Sequence, residues 1–536
     1  MHKTLSNFIF IIIICFLLAN CANRGTPGGG DKDITPPNIT RSIPDNFSTN
    51  FTGNEIKIYF DEYIKIKDLQ KQLIISPPMD PAPEVTPLGS ASKYITIKIY
   101  DTLATNTTYA FNFGNSIVDN NEENPFSYFR YVFSTGDYID SLTVKGHVID
   151  ALKRNPDNFI LVALYEVDSM FTDSIIYKEN PKYVTNTLDS LTTFTIENIK
   201  AGKYMLLALK DKNQDNKFQQ KTDKIGFHKS YISVPSDSVF SLKLFNEAID
   251  FKATRPKMVA GEKIAFGYEG DYKNMNIDIL SNTPEDFESK IIKDKLTDSL
   301  NYFYKPKLEV DSLLFKVTNT DYDEGFTVRI RDQERDSLLM EASPTGNILL
   351  AEDFLVSANI PFSNFDERNI SILDKDSTQV SFTASLDSIQ NTYKIVFAKT
   401  EENQYKIQML PETFTDFFGN TNDTLNYSLR TKKASDYSNV RVILKNAIYP
   451  VIVQLTDEKG EVKYEQFADK SQFFDFNNLT PAKYYIRVVF DTNGNKKYDT
   501  GNYLKKLQPE SISHFPELLD ARANWDEIIE FELISK

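Results

Sequence analysis

At 536 residues the chain exceeds one core, and at ~100–200 residues per unit it should divide into about three to five. Its aromatic share is 13%, with 39 Phe and 28 Tyr against one Trp, and this composition favours strands over helices. A formal charge of −15 spread along the chain argues against a nucleic-acid partner, which would need a basic face, and the only cysteines, Cys15 and Cys21, exclude a disulfide framework or a cysteine-based metal site.

Lys3 precedes a run of twelve apolar residues over 8–19. A membrane span needs ~20, so the run fits the core of a signal peptide. It ends in Leu18-Ala19-Asn20-Cys21, which resembles the lipobox of bacterial lipoproteins, with Asn20 where that family has Gly, Ala or Ser. The resemblance implies a signal peptide over 1–21 and a diacylglycerol thioether on Cys21, which becomes the first mature residue and holds the protein on a membrane. The other reading is an ordinary signal peptide with a chance cysteine. No Asp follows Cys21. In that family this implies the outer membrane of a Gram-negative bacterium. Residues 22–37, rich in Gly, Asn, Asp and Pro and without apolar periodicity, read as a flexible tether.

From Pro36 onward the chain alternates as half-buried strands do. Glu55-Ile56-Lys57-Ile58-Tyr59-Phe60, Tyr94-Ile95-Thr96-Ile97-Lys98-Ile99 and Thr108-Tyr109-Ala110-Phe111-Asn112-Phe113 place apolar residues at every second position. Short strands without a helical stretch predict an immunoglobulin-like sandwich over 38–137. Thr35-Pro36-Pro37, Ile58-Tyr59-Phe60-Asp61-Glu62, Ile75-Ser76-Pro77, Asn106-Thr107-Thr108-Tyr109 and Phe133-Ser134-Thr135-Gly136 together resemble the SbsA-type bacterial Ig-like domain, whose members sit on cell surfaces. A fainter echo runs from Tyr405 through Asp416-Phe417-Phe418-Gly419-Asn420 to Thr431, paralleling Tyr109, Asp119 and Thr135. It predicts a second such unit over 351–433.

A stronger repeat joins two other stretches. Phe194, Asn198, Lys203, Tyr204, Asp211, Asn213 and Lys217 recur at an offset of 280 as Phe474, Asn478, Lys483, Tyr484, Asp491, Asn493 and Lys497. The shared strand, turn, strand and acidic loop resemble prealbumin-like or carboxypeptidase-regulatory-like sandwiches, predicted over 138–250 and 434–536. Residues 251–350 form a further β-sandwich without a recognised motif. The expected fold class is all-β, with tandem Ig-like and prealbumin-like sandwiches following the signal peptide and tether.

The acidic loops hold the specific chemistry. Asp211, Asn213 and Asp215 stand at alternate positions, with the Lys217 carbonyl next in the series. Asp491, Asn493, Asn495, the Lys497 carbonyl and Asp499 repeat the spacing. Alternating oxygen ligands of this kind converge on a hard cation, so each loop is a candidate calcium site, with no cofactor fixed by the sequence. Position 12 is Thr222 or Asn502 rather than Glu, and position 6 is Asn216 or Lys496 rather than Gly. The competing reading is a polar hairpin whose Asn and Asp side chains satisfy turn backbone.

Asp-Ser/Thr followed by an apolar residue recurs at Thr102, Ser141, Ser190, Ser299, Ser312, Ser337, Ser388 and Thr424. It resembles the O-glycosylation acceptor signal of one group of Gram-negative bacteria. It equally describes a turn handing over to a strand. With no nucleophile elbow, no His pair at zinc spacing and no stretch left for a larger catalytic unit, an enzyme is disfavoured. A non-catalytic envelope lipoprotein is expected, acting as a binding or adhesion module toward protein or glycan, or as a structural spacer in an envelope assembly. The single Trp525 disfavours a tryptophan-based sugar platform.

Overall fold

The computed structural model describes residues 32–188 and 192–533. Cys21 and Ser190 therefore lie outside the described residues. The chain is almost wholly strand and turn, and the one α-helix among the described residues is the single turn Leu69–Gln72.

The first unit packs two sheets. One orders Ile39–Ile43, Glu55–Ile66, Ser92–Lys98 and Glu84–Thr86, and the other orders Ile74–Ser76, Thr108–Asn112 and Arg130–Ser134. The alternation predicted from sequence is what fills the space between them. Ile56, Ile58, Phe60, Ile95, Ile97, Phe111 and Phe133 are buried in one apolar cluster, and in Glu55–Ile66 the alternate residues Glu55, Lys57, Tyr59 and Asp61 are less buried.

The units carrying the repeat match strand for strand. In one, Thr193–Ile199, Leu142–Asp150 and Val239–Leu244 face a sheet of Tyr183–Asn186, Leu161–Glu166, Gly202–Lys210 and Lys224–Phe227. In the other, Phe473–Leu479, Ser438–Lys445 and Asp526–Glu532 face Val462–Ala468, Val451–Thr456, Ala482–Phe490 and Ile512–His514. Each closes with its last strand parallel to its first.

The echo between the first and fourth units extends to individual hydrogen bonds. Tyr109 Oη accepts the Ala104 N–H at 2.9 Å and Tyr405 Oη accepts the Thr400 N–H at 2.7 Å. Thr135 Oγ1 accepts the Thr107 N–H at 2.9 Å, and Thr431 Oγ1 accepts the Asn403 N–H at 3.0 Å. A buried tyrosine tied back to nearby backbone is the corner that closes many Ig-like sandwiches.

One expected junction moves. Met340–Ser343 pairs with Phe354–Ala358, and Gly346–Asn347 pairs with Leu425–Arg430. Both strands precede 350 but complete sheets of the fourth unit, so its hydrogen bonding begins by Met340. Isolated short edge strands carry too little periodicity to be assigned to a partner from sequence.

Neighbouring units touch, and one contact joins units distant in sequence. The fully buried Tyr503 of the fifth unit belongs to the apolar cluster of the second, among Phe227 and Phe245. Glu247 accepts the Tyr503 N–H, Gln508 Nε2 donates to the Phe227 carbonyl at 3.0 Å, and Lys506 pairs with Asp173 at 2.6 Å. Arg487 reaches across to the Leu152 carbonyl at 2.9 Å. The second to fifth units thus form a closed circuit.

Candidate functional site

The first and second units meet through two edge strands. Among the described residues Ile74–Ser76 pairs only with Thr108–Asn112, and Tyr183–Asn186 only with Leu161–Glu166. Exposed edges invite stray pairing, and here each shields the other. Val184 N–H donates to Ser76 Oγ at 3.1 Å, and Ile74 packs on the apolar cluster that includes Val184. Arg130 of the first unit pairs with Glu197 of the second and also donates to Asn198 Oδ1. Asp140, at the junction, accepts the Thr108 hydroxyl at 2.9 Å and returns its own N–H to the same oxygen.

Beside this seam lies a cleft of about 290 Å³. Leu73, Ile74 and Met79 line one side, and Phe159, Leu161 and Val184 the other. Its polar lining is Gln70, Lys71, Asn186, Lys210, Asp211, Gln214 and Asn216. Burial depresses the Lys210 ammonium, and burial also raises the adjacent Asp211 carboxyl, with Asp215 and Asp223 adding repulsion. A slot between units, lined about equally by apolar and polar side chains, suits one or two side chains of an extended segment.

The first acidic loop therefore forms part of this cleft. Asp211 accepts the N–H groups of Gln214 at 2.7 Å and Asn216 at 2.8 Å, and Asp215 accepts the Lys217 N–H at 3.0 Å. Gln214 and Asn216 both take left-handed backbone, at φ 59° each. In the second loop Asp491 accepts the Asn495 and Lys496 N–H groups, and Lys496 occupies φ 65° despite its side chain. Asn493 and Asn495 both direct their amides at Asp499, and Lys497 N–H donates to Asn495 Oδ1. Among the described residues no three His, Cys, Asp or Glu side chains gather as metal ligands. Each loop instead offers carboxylates braced by backbone N–H groups.

Of the recurring hydroxyls, Thr102, Ser141, Ser312, Ser337, Ser388 and Thr424 are exposed, whereas Ser299 is buried within Ser299–Lys305. Sequence reading missed the cleft entirely. Its walls come from strands more than eighty residues apart, and no local pattern announces that two edges will meet.

Comparison with known proteins places a bacterial Ig-like domain at residues 33–135. No curated protein matches the chain. Among solved structures, domains 1–6 of the surface layer protein SbsC are 12% identical, with 91% of this chain and 67% of that chain covered and a TM-score of 0.17. The I9–I11 tandem from titin is 11% identical, with 52% and 100% covered and a TM-score of 0.12. Tandem Ig repeats of Dlar are 11% identical over 34% and 97%, with a TM-score of 0.13.

Proposed function

We propose that the protein is a non-catalytic binding module of the bacterial cell envelope, held on the outer membrane through a lipid on Cys21, and that it seats an extended segment of a partner protein in the cleft between its first two units. The cleft carries the reading. Each wall sets apolar side chains beside polar ones, with Lys71 on one and Lys210 and Asp211 on the other, and the cleft is framed by units locked together through Arg130, Glu197 and Asp140. A pre-formed slot on a rigid frame loses little freedom when a segment enters it.

A second reading, a structural spacer or accessory subunit, gains support from the docking of the fifth unit on the second, which stiffens the chain into a circuit. Copurification from detergent-solubilised membranes separates the two. Ala82 is exposed at the cleft, and Ala82→Trp places an indole in it without touching either core. The binding reading expects a stoichiometric protein partner with wild type and its loss with Ala82→Trp at unchanged melting temperature. Equal recovery of the partner with both proteins removes the cleft from the interaction and favours the spacer.

A further inference from the structure

Neither the sandwich cores nor the cleft gives a role to the recurring tripeptide of Asp, Ser or Thr, and an apolar residue. With Ser169, Ser174 and Ser238 the recurrence reaches eleven sites, each hydroxyl standing between an Asp and a Leu, Ile, Val or Met. If the tripeptide served turns alone, Asn would head it as readily as Asp, since both side chains satisfy turn backbone. The chain holds 43 Asn against 45 Asp, yet Asn heads only two such tripeptides, at Ser116 and Thr187, and Glu one, at Ser511. The third position is selected as well. Of fourteen Asp-Ser/Thr pairs, eleven continue into one of those four apolar residues, in a chain only 41% hydrophobic.

The fold separates the two sets. Ser116 and Thr187, which follow Asn, are both 0% exposed. Of the ten described Ser and Thr residues that follow Asp in these tripeptides, nine are exposed and only Ser299 is buried. Several stand where a strand begins, as Ser141 does before Leu142–Asp150, Ser238 before Val239–Leu244 and Thr424 before Leu425–Arg430. The carboxylates share no single structural duty. Asp101, Asp168 and Asp387 accept N–H groups of the residues that follow them, whereas Asp140, Asp173 and Asp336 turn to Thr108, Lys506 and Lys263. What the sites share is an outward residue with a hydroxyl between a carboxylate and an apolar side chain, a constancy that the sandwiches do not require.

We infer that these exposed hydroxyls accept O-linked glycans, attached by a transferase that reads the carboxylate on one side and the apolar residue on the other. Phosphate fits less well. Each phosphate would add about −1.5 to −2 of charge beside an Asp, on a chain already at −15, whereas a neutral glycan adds bulk without that repulsion. In the transfer, the Ser or Thr oxygen attacks the anomeric carbon of a glycan carried on a lipid diphosphate. A glycosidic C–O bond forms and the bond from that carbon to the diphosphate breaks. The lipid diphosphate leaves, and the hydroxyl proton passes to a base of the transferase. Such a donor sits in a membrane, so the inference rests on export of the chain and not on the cleft.

Peptide mapping by mass spectrometry tests it, on the full chain purified from its own cells. Sugar-mass increments are expected at the exposed sites. None is expected on the buried Ser299, or on the exposed Ser377 and Thr492, which follow Asp but precede Thr378 and Asn493. Asp237→Asn keeps a turn-forming side chain, and Val239→Gln alters a residue that is 70% exposed, so both variants should fold. Each should empty Ser238 while the other sites stay occupied. Bare hydroxyls throughout, phosphate increments in place of sugar, equal occupancy of Ser377 and Thr492, or an occupied Ser238 in both variants overturns the proposal. The N-terminal peptide of the same digest reports export separately. A chain cleaved at its leader but bare of sugar overturns the glycan and spares export, and an uncleaved, bare chain overturns both.

Discussion

Tyr503 stands edge-on to Phe227, ring centroids 5.4 Å apart, although the two residues come from units separated by two intervening sandwiches. Removing a buried aromatic side chain costs about 3–5 kcal/mol. Most of that cost falls on this one contact, since Tyr503 packs into the second unit's cluster. Tyr503→Ala should undock the fifth unit, seen as a larger radius of gyration by small-angle scattering and faster protease cutting near 250 and 434. Gly501→Ala offers a second route, because a Cβ there would sit 2.5 Å from Phe245 Cζ. An unchanged scattering profile in both variants would show that the other contacts suffice.

Calcium in the millimolar range should raise the melting temperature of the whole chain, and Asp211→Ala should erase most of the shift. Asp211 is the loop carboxyl whose charge burial makes costly, and a cation there would relieve both that cost and repulsion from Asp215 and Asp223. Affinity of ~10⁻⁴–10⁻³ M is expected without a bidentate Glu, giving about 1.4 kcal/mol at ten times Kd. The second loop should contribute less, since Asn493 and Asn495 already spend their amides on Asp499. The test belongs on the full chain, because excising the second unit would bare Phe227 and Phe245. Magnesium matching calcium would reduce the effect to charge screening, and no shift with either would leave plain polar turns.

His514 should make the protein lose stability on acidification. Burial, with Arg487 and Arg154 nearby, holds its imidazole at about 4 rather than 6.5. Between those values the unfolded chain binds the proton and the folded chain does not. The stabilisation is therefore complete above about pH 6.5 and is lost as pH falls toward 4. It amounts to at most ~3 kcal/mol, reduced by solvent screening of a partly exposed ring. Urea midpoints measured across this range should fall for wild type and flatten for His514→Asn. Parallel slopes would place the pH response elsewhere.

Cys21→Ala should abolish incorporation of labelled palmitate and release the protein from the outer-membrane fraction. Two or three acyl chains, at ~0.8 kcal/mol per buried methylene, hold a protein almost irreversibly. Wild-type labelling in the variant would leave an ordinary signal peptide as the reading.

How much of this was legible in the chain depended on range. Local alternation announced Ile56, Ile58, Ile95 and Ile97 as core, because a strand's period places them on one face regardless of what covers them. The 280-residue repeat and the Tyr109/Tyr405 echo were legible because matching residues make matching bonds: Tyr204 and Tyr484 donate to the Lys200 and Thr480 carbonyls, and Tyr109 and Tyr405 accept the Ala104 and Thr400 N–H groups. The loop spacing at Asp211 was visible too, though not that Gln214 and Asn216 would brace it. Tyr503 was invisible: it sits in an irregular stretch with no period, and its burial is decided by a unit hundreds of residues away. The cleft was hidden for the same reason, since Ile74 and Val184 become neighbours only after two sandwiches have folded and met.

The contact between the second and fifth units also sets how the molecule would bear tension. A pull applied between the first unit and the fifth would travel through Tyr503, Lys506 and Arg487 directly into the second unit, leaving the third and fourth outside the line of force. Only after that contact ruptured would those two sandwiches enter the line of force and add their length. The chain would then behave as a safety line with a release, short under modest load and abruptly longer beyond a threshold.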